Sequence, residues 1–310
     1  MSKVKHYLSL VKFSHTIFAM PFALIGFFLG MISFNRDLQT GKFDQSQFKI
    51  ISIGNVSAHF MYLMQAFILV LVCMVSARSA AMAFNRYLDR SFDEKNPRTA
   101  IREIPKGIIS ANSALRFVIL SSLIFILATY FINSICFYLS PVALFVILFY
   151  SYTKRFTPLC HLVLGLGLSL APIGAYLAVT GRFDVLPVLF SLAVIFWVSG
   201  FDVIYALQDV EFDQSQQLYS IPAVLGKAKA LRVSELLHLF SAACVISAGI
   251  YGHFHLLYWM GIAVFAGMLI YQHSLVKPHD LRKVNIAFMT ANGIASVVFA
   301  IFVIADLLLG

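Results

Sequence analysis

"NRYLDRSFDEKNPRT", residues 85–99, follows a long apolar run and sets Asn85, Asp89 and Asp93 four residues apart at each step. On an α-helix, residues four apart lie about 40° from one another and about 6 Å along the axis, so the three side chains form one polar stripe. Two like charges in that register destabilise a helix by a few tenths of a kcal/mol, and by more where water is scarce. A cation between them removes the penalty. Carboxylate and amide oxygens are hard ligands, which suit Mg²⁺ better than a soft metal. The alternative is a solvated helix end with two ordinary aspartates. "YALQDVEFD", 205–213, weakens that alternative, because Tyr205, Asp209 and Asp213 repeat the spacing of four at the end of another apolar run. Asp202 precedes Asp209 by seven residues and Arg78 precedes Asn85 by seven, so each stripe continues inward by two turns to an ionisable residue. Ionisable residues inside a membrane span are functional candidates by default, and the opposite signs of Arg78 and Asp202 also allow them to pair with each other across a cavity.

The chain around these stripes belongs in a bilayer. Of its 310 residues 60% are hydrophobic and 12% charged, with a mean hydropathy of +0.85, whereas roughly a quarter of a soluble domain is charged. Apolar runs at about 15–34, 56–84, 112–132, 134–150, 161–180, 187–208, 230–251, 254–275 and 284–308 predict about nine transmembrane helices in a single polytopic domain, 1–310. The first run is too long for a secretory signal and lacks a small-residue cleavage site, so it reads as a retained span. With the N-terminus cytoplasmic, roughly eighteen Lys and Arg fall in inside segments and about four outside, the asymmetry that orients membrane proteins. This places both stripes on the cytoplasmic face and the C-terminus outside. It also accounts for the net charge of +9 without a nucleic-acid partner. Cys73, Cys136, Cys160 and Cys244 lie on separate runs with no C-x-x-C spacing, and the nine histidines show no H-E-x-x-H pattern, so neither a disulfide framework nor a zinc site is expected.

Mg²⁺ rarely sits in an all-protein cage; it bridges one or two carboxylates to substrate phosphates. Two carboxylate stripes on one side of a membrane, with basic residues in the same loops, therefore predict a diphosphate held through metal ions. Arg98 and Arg102, just after the first stripe, and Lys154 in "YSYTKR" are the side chains expected to reach its oxygens. "IPKG", 104–107, and "IPAVLGK", 221–227, follow the two motifs as a weak internal repeat, which suggests two four-helix units plus a final helix around a central cavity.

On these residues the chain resembles the UbiA superfamily of membrane prenyltransferases, marked by N-x-x-x-D-x-x-x-D after the second span and D-x-x-x-D after the sixth. Asn85, Asp89 and Asp93 match the first motif and Asp209 and Asp213 the second, while "NPRTAIREIPKG", "YSYTKRFT" and "SIPAVLG" resemble the segments flanking them in quinone-pathway members. Arg86 departs from the pattern, since several such relatives carry an aspartate there. The resemblance implies transfer of a polyprenyl chain from its diphosphate to an aromatic acid such as 4-hydroxybenzoate, with Asp89, Asp93, Asp209 and Asp213 catalytic and, together with Asn85, binding Mg²⁺. Bacterial members of this kind reside in the inner membrane. Aromatic faces at Tyr150, Tyr205 or Phe201 are expected to stabilise the allylic cation by cation–π contact. An acceptor carboxylate needs a cation in the cavity; Arg78 leads, followed by Lys12 and His15, unless Arg78 pairs with Asp202. Naphthoate, haem or chlorin acceptors remain open within the same superfamily. A transporter with an acidic relay places its ion site near the midplane rather than at helix ends. A nucleotide-lipid phosphotransferase would carry a D-G-x-x-A-R run that is absent.

Overall fold

The apolar runs become helices at nearly the expected bounds. The computed structural model describes residues 3–11, 18–41 and 58–310. A short α1 (Lys3–Leu10) precedes α2 (Met20–Gln39), α3 (Ala58–Leu88), α4 (Arg90–Lys95), α5 (Ala111–Ile132) and α6 (Ser134–Thr153). The second half repeats the plan with α7 (Cys160–Thr180), α8 (Val185–Ala206), α9 (Val210–Ser215), α10 (Ile221–Leu225), α11 (Lys227–Tyr251) and α12 (Leu256–Leu275), and α13 (Asn292–Leu309) closes the chain. Eight of the described helices are long and apolar enough to cross a membrane. The expected first span is α2, whose 20 residues are also long enough but end in Asn35, Arg36 and Asp37. It starts later than its apolar run because Pro21 occupies the first turn, where a proline without an N–H is tolerated.

Local chemistry sets the other boundaries. Ser110 Oγ accepts from the Ser113 amide to start α5, and Asn133 Oδ1 accepts from the Cys136 amide to start α6. Gly181, in the left-handed region at φ 66°, ends α7. Between the spans lies an aromatic and aliphatic core in which Phe22, Trp197, Phe265 and Phe299 are fully buried. Large apolar side chains such as Leu123, Phe145, Leu239 and Ile270 point outward, as lipid-facing positions do in a protein whose solvent is hydrocarbon. Close helix approach supplies the packing that the hydrophobic effect does not provide in lipid: a Cβ on Gly165 would stand 2.6 Å from Ser199 Oγ and would collide with the Ile195 carbonyl, so glycine lets α7 lie against α8.

The two halves also match where it matters for the site. The helix α3 stops at Asp89 and resumes as the six-residue α4, and α8 passes through a tight turn, Leu207–Asp209, into the six-residue α9. Asp89 and Asp209 thus occupy equivalent junctions. Each stripe is therefore split between two short-coupled helices rather than carried on one, a correction to the single-helix picture. The Asp89 and Asp93 amides still bond the carbonyls four residues back, at 2.9 and 2.8 Å, and this preserves the spacing that aligns the side chains.

Candidate active site

Both junctions open into one cavity at the end of the bundle that carries α4 and α9. Twelve of the site residues expected from the sequence line it: Arg78, Asn85, Asp89 and Asp93 from α3 and α4, Arg98 and Arg102 from the following loop, Tyr150 and Lys154 from α6 and its end, and Asp202, Tyr205, Asp209 and Asp213 from α8, α9 and the turn between them. Phe201 lines it as well, edge-on to Trp197 and Phe288. Lys12 and His15 lie outside the described residues.

Each motif aspartate has a distinct partner. Asp89, 2% exposed, accepts from Lys154 Nζ at 2.8 Å, Arg155 Nη2 at 3.0 Å and Asn85 Nδ2 at 3.2 Å. Asp93 accepts from Arg102 Nη1 at 2.6 Å through Oδ1, while its Oδ2 is buried with no partner. Arg98 crosses from the first motif's loop to the second motif, donating Nη2–H to Asp209 Oδ2 at 2.6 Å and Nε–H to Oδ1 at 3.0 Å. The same guanidinium donates to Tyr205 Oη at 3.2 Å, and the Tyr205 ring packs on Phe288 with centroids 4.2 Å apart. Burial works against the Arg98 charge, but the adjacent Asp209 carboxylate outweighs it and holds the guanidinium above the ordinary arginine pKa. Asp213 accepts from Ser220 Oγ at 3.0 Å.

Asp202 does not pair with Arg78. Its carboxylate accepts from His161 Nδ1 at 2.7 Å, and His161 Nε2 in turn accepts from the Ile221 amide at 3.3 Å, which fixes the Nδ1–H tautomer. Arg78 forms no ion pair among the described residues, and its Nε is buried without a partner. The physical reason is competition: His161, opening α7, reaches Asp202 from the neighbouring helix, and a relation between two side chains 41 residues apart leaves no trace in either helix's periodicity.

Beyond Arg78 and Tyr150 a second, almost wholly apolar cavity continues inward, lined by Val70, Met74, Phe125, Ile147 and Ala171 among others. Its lining includes Leu139, Val142 and Phe183, which are exposed, so the cavity opens at the surface of the bundle. Among the described residues no three acidic, histidine or cysteine side chains converge tightly enough to chelate a metal unaided. The oxygen donors at the cavity are hard, and Asp93 Oδ2 is buried and free to take a cation; with phosphate oxygens completing the set, these residues fit Mg²⁺. Arg155, His161 and Ser220 were missed as site residues. Arg155 left a sequence signal as the neighbour of Lys154 in the same basic pair, and Ser220 as the first residue of "SIPAVLG".

The chain is similar to known proteins over most of its length. The UbiA prenyltransferase family matches residues 52–294. The 4-hydroxybenzoate octaprenyltransferase of Tolumonas auensis is 32% identical over 223 residues, covering 72% of this chain and 78% of that one. The enzyme of the same name from Francisella tularensis subsp. mediasiatica is 29% identical over 231 residues, 74% and 81% of the two chains. Among solved structures, a UbiA homologue from Aeropyrum pernix superimposes with a TM-score of 0.73 at 27% identity, covering 95% of this chain and 97% of that one. An Archaeoglobus fulgidus UbiA homologue bound to GPP and Mg²⁺ shares the fold with a TM-score of 0.67 at 18% identity over 97% and 99%.

Proposed function

Because the chain belongs to the UbiA prenyltransferase family, we propose that this membrane-bound transferase moves a polyprenyl chain from its diphosphate to an aromatic acid of quinone biosynthesis, with 4-hydroxybenzoate the leading acceptor. The observation that carries the proposal is the meeting of both aspartate motifs and their basic loops in one cavity that continues into an apolar one. The relatives' names supply the acceptor.

In this reading Asn85, Asp89, Asp93, Asp209 and Asp213 hold Mg²⁺, partly through the diphosphate. When bound, the metal neutralises the diphosphate as a leaving group, so that C1 of the allylic chain gains cationic character. Arg98, Arg102 and Lys154 are poised to exchange carboxylate partners for phosphate oxygens, since each already sits within 2.8 Å of a motif aspartate. Tyr150, at the junction of the two cavities, and Phe201 present aromatic faces to the developing cation and keep water from it. Tyr205 serves chiefly to position Arg98. Asp202, held by His161, faces the same cavity and contributes a fixed negative charge on the acceptor side. The polyprenyl tail occupies the apolar cavity and leaves through its lipid-facing mouth. Arg78 meets the acceptor carboxylate.

We place the protein in a bacterial inner membrane with the N-terminus and both motifs cytoplasmic and the C-terminus outside, supported by the asymmetry of basic residues. One experiment tests acceptor and orientation together. Sealed inverted vesicles containing the protein are given labelled polyprenyl diphosphate and, one at a time, 4-hydroxybenzoate, a hydroxynaphthoate and haem. The expected result is a prenylated product of the benzoate mass, with pyrophosphate released into the outer medium. Product only with the naphthoate or haem moves the acceptor elsewhere in the superfamily, and pyrophosphate trapped in the lumen reverses the orientation.

A further inference from the structure

Arg86 stands beside Asn85 on α3, is 3% exposed and lines the polar cavity. Its Nε and Nη1 are buried with no hydrogen-bond partner, and it makes no ion pair among the described residues. This is unusual for a group that carries five donors and stays protonated at any accessible pH. Apart from Arg78, the other Lys and Arg side chains at the cavity are engaged: Lys154 and Arg155 hold Asp89, Arg102 holds Asp93 and Arg98 holds Asp209. Of seven buried side-chain atoms left without partners among the described residues, five belong to residues that line this cavity: Arg78 Nε, Arg86 Nε and Nη1, Asp93 Oδ2 and Ser151 Oγ. Unsatisfied polarity is concentrated where a ligand enters.

Arg78 and Arg86 differ in depth. They are eight residues apart on one helix, about 12 Å along the axis, with Arg86 toward the motif end. Arg78 sits where the polar and apolar cavities join. Arg86 lines the polar cavity with the aspartate motifs and not the apolar one. Asp93 pairs with Arg102 through Oδ1 and Glu103 accepts from Ser9 Oγ, and neither carboxylate pairs with Arg86.

We infer that Arg86 is a phosphate-binding residue of this site, its guanidinium fork donating to the diphosphate of the prenyl donor beside the proposed metal-holding aspartates. The inference rests on the proposed function and adds to it a direct cationic contact. A permanently charged, planar guanidinium with unpaired N–H donors is suited to phosphate oxygens. A single carboxylate at the inner end is already served by Arg78.

The test uses the full-length protein in detergent and inorganic pyrophosphate with excess Mg²⁺, measured by calorimetry. Arg86→Met keeps the apolar stem and removes the fork; Arg86→Lys keeps the charge but not the geometry. Pyrophosphate Kd is expected to rise at least about tenfold in the Met variant and by less in the Lys variant, with KM for the prenyl donor following and KM for the acceptor unchanged. If the Met variant does not fold, the weakened binding of the Lys variant carries the same prediction. Unchanged pyrophosphate Kd in a folded variant overturns the inference, and so does a rise confined to the acceptor KM. Failure of the unsubstituted protein to bind Mg²⁺ with pyrophosphate overturns the proposed function itself and this inference with it.

Discussion

Asp93→Asn lowers prenyl transfer by at least about a thousandfold while leaving the protein folded. Asp93 is 5% exposed, gives one oxygen to Arg102 at 2.6 Å and keeps the other buried with no partner. A buried anionic oxygen without a donor is costly, so it is retained for a cation that arrives with the substrate. Asparagine preserves the volume but replaces that oxygen or its neighbour with an NH₂ group, which repels both the metal and Arg102. Removing one preorganised electrostatic contact from a water-poor site costs about 10²–10³ in rate, and here the metal and its paired arginine are disturbed together. The fold survives because Arg102 is partly exposed and finds water once released. Turnover by product chromatography and thermal unfolding in detergent check both halves of the statement. Near-normal turnover in the folded variant would remove Asp93 from the catalytic set.

Arg78→Leu raises the acceptor KM by about 10- to 100-fold with the donor KM nearly unchanged. An ionised hydrogen bond removed from a desolvated site costs about 1.5–3 kcal/mol, which sets that range. Arg78 lies about 10 Å deeper than Asn85 by helix rise, away from the groups that hold the diphosphate, so donor binding is spared. The structure removes the competing account in which the substitution strands a buried aspartate, because Asp202 is held by His161 at 2.7 Å. Steady-state kinetics with each substrate varied in turn separates the two Michaelis constants. A rise in the donor KM alone would move Arg78 to the phosphate end, and no change in either would make it structural.

The spans and the grouping of the two aspartate motifs were legible because both are local: apolar length marks a helix in lipid, and spacing of four marks a shared face. Asn85, Asp89 and Asp93 needed nothing else to be grouped. The break of each stripe at Asp89 and Asp209 was not legible, because N-cap aspartates and mid-helix aspartates share the same spacing until the backbone is seen. Arg98 could be placed beside the first aspartate motif from its loop, but its grip on Asp209, 111 residues away, is a long-range pairing that periodicity does not encode. His161 and Arg86 lay outside the sequence argument for a related reason. A histidine opening a span and an arginine beside a motif look like boundary charges until burial distinguishes them.

The account stands most directly on one measurement: prenyl transfer by the purified protein from polyprenyl diphosphate to 4-hydroxybenzoate, followed by product mass with Mg²⁺, in excess chelator, and after Mg²⁺ is restored. The two aspartate motifs predict prenylated product with Mg²⁺, none detectable in chelator, and recovery on restoration. Full turnover in chelator would contradict the claim that Asn85, Asp89, Asp93, Asp209 and Asp213 hold the diphosphate through a metal.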